Sequence, residues 1–151
     1  MSTAVSVPKV EDLTLSIMEE IHVKATPEVT FEALLEELGP GLTGENQKPL
    51  QAKIEAWPGG RWYRDLGDGN GHLWAHVQAI KRPTLLEFYG PLMMSQAVVS
   101  NVQYRLSEEA GGTLIKFHHF ALGVIADDHR KGFASGWKSI HERAKQHAEK
   151  K

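Results

Sequence analysis

Hydrophobic and polar positions alternate from residue 13 onward. Leu13, Leu15, Ile17, Ile21 and Val23 fall on one side, with Thr14, Ser16, Glu20, His22 and Lys24 on the other. Period two marks a strand with one buried face. Only Glu19 breaks the apolar side, and a bulge or an edge position would explain it. The period then changes. Phe31, Leu34, Leu35 and Leu38 recur at helical spacing between a cap, Thr26-Pro27, and a stop signal, Gly39-Pro40. Residues 41–48 read as a loop. Strands return at 50–57, 61–66, 72–80, 84–89, 97–106 and 113–122, and most of their boundaries carry turn chemistry. Pro58-Gly59-Gly60, the glycine-rich 67–71, Arg82-Pro83 and residues 108–112 supply it. The link at 90–96 is longer and more apolar than a surface loop usually is. From about Asp127 the 3.6 period resumes, with Phe133, Trp137, Ile140, Ala144 and Ala148 in one stripe. A helix over 128–148 is roughly 30 Å long. No pattern precedes residue 13, so 1–12 are expected to form a disordered tail and 13–151 a single domain.

This order predicts an α+β fold: a seven-stranded antiparallel sheet, a short helix after the first strand, and a long C-terminal helix covering one sheet face. Where a twisted sheet and the helix separate, an apolar cavity results. In the last two strands Val98, Val102, Tyr104 and Leu106 share a face, as do Ile115, Phe117, His119 and Ala121. Leu86 and Phe88 oppose Glu87. The strand at 72–80 offers two faces, Leu73/Ala75/Val77/Ala79 or Trp74/His76/Gln78/Ile80. A conventional core takes the first and a lined cavity the second, which is the face favoured here. Trp74, Phe88, Tyr104, Phe117, Phe133 and Trp137 then converge on one interior, with Ser100, His76 and His119 as its polar groups. Each histidine is either a ligand contact or a core residue satisfied by a neighbour. Gly132 and Gly136 each cost a helix ~1 kcal/mol relative to Ala. Close approach to the sheet or clearance at a cavity mouth would account for them.

Composition narrows the classes further. The 151 residues include no cysteine, which removes disulfides, thiolate metal sites and cysteine nucleophiles. Seventeen Lys and Arg stand against nineteen Asp and Glu, so a nucleic-acid partner has no electrostatic support. No apolar run reaches the length of a membrane span, and no signal peptide opens the chain; a cytoplasmic location is the expectation. Eight histidines raise the question of a metal. His72 and His76 lie about 13 Å apart on a strand and His118 and His119 point oppositely, so no metal site is expected. There is no GxSxG elbow, and the glycines open no helix after a strand, so neither nucleophilic catalysis nor phosphate cradling is expected, nor is a cofactor.

The segments ATPEVTFEALLEE after the first strand, WPGGRW at 57–62 and HVQAIKRPTLLEF at 76–88 occur in order. VQYRLSEEAGGTLIKFHH at 102–119 and GWKSIHER at 136–143 follow them. Together they resemble the SRPBCC (START-like, birch-pollen-allergen-like) superfamily, in the branch of the activator of heat-shock-protein-90 ATPase, over about 13–148. The resemblance implies a helix-grip fold with a tunnel or cavity between sheet and C-terminal helix. It also places Gln78 and Ile80 at core positions, in favour of the Trp74/His76 face. The leading expectation is a protein that holds a lipophilic or aromatic molecule in that cavity. A polyketide cyclase or aromatase-like enzyme using cavity His and Tyr is the alternative from a second class. A chaperone-binding module is the third, set back because the named activator carries a further N-terminal domain. A homodimer through the edge strands or the 90–96 link is left open.

Overall fold

The computed structural model describes residues 9–150; residues 1–8, most of the expected tail, lie outside the described residues. Order begins before residue 13: Val10–Leu13 forms a 3-10 turn that runs straight into β1. The strands are β1 (Thr14–Val23), β2 (Ala52–Ile54), β3 (Arg61–Gly67), β4 (Asn70–Lys81), β5 (Leu85–Gly90), β6 (Val98–Glu109) and β7 (Gly112–Gly123). They form a single seven-stranded antiparallel sheet in the order β1-β7-β6-β5-β4-β3-β2. The helices are α1 (Pro27–Leu38) and α2 (Asp127–Glu149), both packed on the concave side. This is the helix-grip architecture expected.

Local chemistry sets the boundaries. Thr26 Oγ1 accepts the Val29 N–H at 3.2 Å, and Pro27 opens the helix where its missing N–H costs nothing. At the other end the Gly39 N–H returns to the Leu35 carbonyl at 2.9 Å. The strand expected at 50–57 shrinks to three residues. Gln51 sits at φ 56°, outside the extended region, and the Trp57 N–H folds back on the Glu55 carbonyl at 2.9 Å.

Two bulges in β4 decide which side chains face in. Trp62 pairs with Ala75 and Tyr63 with Leu73, leaving Trp74 as an extra residue. Val77 pairs with Phe88 and Ala79 with Glu87, leaving Gln78 extra. Each bulge shifts the alternation by one. Trp74, Ala75, Val77 and the partly buried Ile80 therefore all pack into the core, and neither of the two expected sets does so intact. His76 is corrected: it points to the outer face, where its ring stacks on Tyr89 with centroids 6.0 Å apart. The family-based placement of Gln78 at a core position fails for the same reason, since Gln78 is the bulged residue and is exposed.

Among the described residues strand β1 is an edge, and α2 is tied to it and its flanks by three polar links. Arg130 donates from Nη1 to the Thr14 carbonyl at 2.8 Å and from Nη2 to the Asp12 carbonyl at 2.6 Å. Near the middle, His141 meets Glu19 at 2.6 Å. At the far end a Glu149 carboxylate oxygen accepts the Lys24 N–H at 2.8 Å. Register along β1 runs unbroken from Thr14 to Val23, so Glu19 faces inward with no bulge to excuse it. Among the described residues no helix is long and apolar enough to cross a membrane.

Candidate functional site

Where α2 leaves the sheet, near its first turns, an open apolar pocket of about 220 Å³ forms. The helix presents Phe133, Trp137 and Ile140 to it, the sheet contributes Trp62, and Leu92 and Met93 come from the 90–96 link. The link stays close because Gly90 lets it. A Cβ there would stand 2.4 Å from the Trp74 carbonyl, and the Leu92 N–H bonds that same carbonyl at 2.8 Å. Met94 turns the other way into a small cluster with Ala121 and Ile125, which leaves Met93 on the rim. Gly132 and Gly136 also line the pocket, and a Cβ built on either meets no atom within 4 Å. Of the two explanations for these glycines, clearance is the one observed.

Behind the pocket wall the rings form a continuous cluster. Trp62 lies 4.9 Å from Phe88, 5.2 Å from Trp74 and 6.5 Å from Trp137 between centroids. Trp62 Nε1 donates to the Leu38 carbonyl at 2.7 Å, so the indole that forms the pocket floor also ties down the end of α1.

Trp137 joins the pocket to two buried histidines. Its Nε1–H donates to His119 Nδ1 at 3.0 Å, so Nδ1 must carry a lone pair and Nε2 the proton. His119 Nε2 therefore donates to Ser100 Oγ at 2.8 Å. Burial, with a smaller contribution from His118, pushes the His119 imidazole down to about 4. This tautomer is the wrong one for activating Ser100, because the ring nitrogen facing the hydroxyl has no lone pair to take its proton.

On its other side Trp137 stacks on His141, with centroids 5.9 Å apart and planes 13° from parallel. His141 Nδ1–H donates to the Glu19 carboxylate at 2.6 Å, and Tyr104 O–H donates to Nε2 at 2.8 Å. Burial lowers the His141 pKa, and the bond to Glu19 and its charge offset part of that. Burial and the Glu19 charge push the Tyr104 phenol well above its usual range. Carboxylate, imidazole and phenol form a relay that ends in the core.

The sequence pattern of the activator of Hsp90 ATPase homolog 1-like proteins matches residues 24–149. The chain belongs to that family. No curated protein matches it in sequence. Solved structures carry the same fold at low identity. A putative uncharacterized protein from Rhizobium leguminosarum superposes with a TM-score of 0.69 at 19% identity, covering 91% of this chain and 96% of that one. Ara h 8.0201 gives 0.66 at 17%, covering 91% and 99%. CalU16 from Micromonospora echinospora gives 0.61 at 20%, covering 88% and 75%. At these identities the likeness extends to the SRPBCC fold and no further.

Within this family member the expected site residues separate. Phe133 and Trp137 line the pocket. Trp74 lines a neighbouring opening beyond Leu92 and Met93. Phe88, Ser100, Tyr104, Phe117 and His119 are buried in the core and border neither opening, and His76 is outside. Sequence reasoning passed over Trp62, Glu19 and His141. Glu19 gave a signal, an acid at an apolar strand position. His141 gave one too, because 137, 141, 144 and 148 make a tighter helical stripe than the one through Ile140.

Proposed function

We propose that the protein binds a small aromatic molecule in the pocket bounded by Trp62, Phe133, Trp137, Leu92 and Met93. The observation that carries this reading is the pair Gly132 and Gly136. They stand inside a helix, where glycine is unfavourable, and face open apolar space between aromatic rings. A helix that needed only to seal a core has no use for them. The volume of about 220 Å³ is below that of sites for drug-sized ligands, which suits one ring or two fused rings. Binding is favoured over turnover because the groups that carbonyl chemistry calls on, Tyr104 and His119, are sealed behind Trp137 with their hydrogen bonds already made.

Titration calorimetry with 2-naphthylmethanol, an uncharged two-ring probe, tests the reading. One molecule is expected to bind per chain, and Gly136→Leu is expected to abolish binding while circular dichroism reports an intact fold. Equal binding to both proteins, or none to the wild type, defeats it.

A further inference from the structure

Beyond Leu92 and Met93 the second opening, of about 380 Å³, is bounded by the same two link residues and by Trp74 and Leu50. Its chemistry differs from that of the apolar pocket. Arg64 follows Trp62 by two on β3, so period two places it on the same concave face of the sheet. Guanidinium groups seldom sit there unless something balances them. Among the described residues Arg64 takes part in no ion pair, and its Nε is buried with no hydrogen-bond partner. Of the acids nearby in sequence, Asp68 is exposed in the β3–β4 turn and two others are paired elsewhere. Asp65 holds Lys53 at 2.8 Å, and Glu55 holds Arg61 through two bonds of 2.8 Å. His72, the partner of Arg64 across the β3–β4 ladder, and Ser95 from the link add an imidazole and a hydroxyl to the opening. None of its lining residues is an acid.

We propose that Arg64 holds the acid group of the ligand whose ring occupies the apolar pocket, which makes the ligand class a small aromatic carboxylic acid. This rests on the pocket reading given above. A planar, permanently charged fork with an idle N–H matches a carboxylate in geometry and in charge. A phosphate would bring a second charge with no second Arg or Lys on this lining to meet it. The two openings are close enough for one molecule. Trp62 and Arg64 are about 7 Å apart along the strand, a span covered by a fused bicycle carrying its carboxylate directly or through one or two carbons. Met93, 39% exposed, stands between the openings, and its unbranched thioether is a partition that can move aside.

The test uses calorimetry on the full chain with naphthalene-2-carboxylate and uncharged 2-naphthylmethanol, on wild type, Arg64→Gln, Arg64→Lys and Gly136→Leu. The acid is expected to bind about tenfold more tightly than the alcohol at low salt. Arg64→Gln is expected to erase that ratio and leave the affinity for the alcohol unchanged; Arg64→Lys keeps part of it. A ratio that survives Arg64→Gln, or an acid that binds no better than the alcohol, overturns the Arg64 proposal and leaves the pocket reading standing. Probes that ignore Gly136→Leu, or fail to bind the wild type, overturn both.

Discussion

Residue 119 carries a neutral imidazole whose protonation the fold opposes twice. Burial disfavours the charge, and the Trp137 N–H occupies the side where a second ring proton would go. The folded pKa, about 4, lies below the ordinary 6.5, so the unfolded chain binds the extra proton first as pH falls. Stability from this group is complete above about pH 6.5 and is lost on the way down to about 4, by on the order of 3 kcal/mol. His119→Gln keeps an acceptor for Trp137 and a donor for Ser100, and is expected to flatten that acid limb in urea titrations from pH 7 to 4. An unchanged slope would mean that another group sets it. Glu19 is the second residue with a measurable role. Glu19→Ala leaves the His141 N–H without its acceptor and is expected to cost about 1–3 kcal/mol in chemical denaturation, with Glu19→Gln milder. Neither pairing could be read from the chain. Glu19 and His141 stand at its two ends, and their meeting depends on how α2 crosses the edge of the sheet.

At the scale of elements, the amphipathic pattern located α1, α2 and six of the seven strands to within a few residues, because turn chemistry and period are local properties. It failed where the chain departs from its own period. The two bulges of β4 set Trp74 and Val77 on one side of the sheet and His76 on the other, and a bulge is decided by cross-strand pairing that no single strand records. The pocket was half legible for the same reason: Phe133 and Trp137 announced themselves by helical spacing, whereas Trp62 needed the pairing of β3 with β4. Helix α2 also yields a prediction that separates stability from binding. With no atom near either Cβ position, Gly132→Ala and Gly136→Ala are each expected to raise stability by about 1 kcal/mol, read as higher denaturation midpoints. Affinity for the two-ring probe is expected to fall as the mouth narrows. If both variants stabilise and bind as before, the glycines have some purpose other than clearance.

For the molecule as a whole, bound ligand and fold are linked. Ligand that binds the native state alone should raise the melting temperature with concentration, equivalent to about 2.7 kcal/mol at a hundredfold excess over Kd. Scanning calorimetry across ligand concentrations reads this directly, and Gly136→Leu should show no shift. Composition contributed less at this scale than order did. A near-neutral, cysteine-free chain is compatible with many folds, but the sequence of one strand, one short helix, six strands and one long helix leaves few ways to bury a single sheet face.

The position of β1 has a consequence for how the protein is made. Among the described residues its one strand neighbour is β7, and Arg130, His141 and Glu149 of α2 tie it and its flanks to that helix. Chains emerge from the ribosome N-terminus first. β1 must therefore wait, without β7 and with Ile17 and Ile21 uncovered, until β7 and α2 have been released. β2 to β6 can form their hairpins as they appear, but the sheet gains its β1 edge only once β7 has emerged.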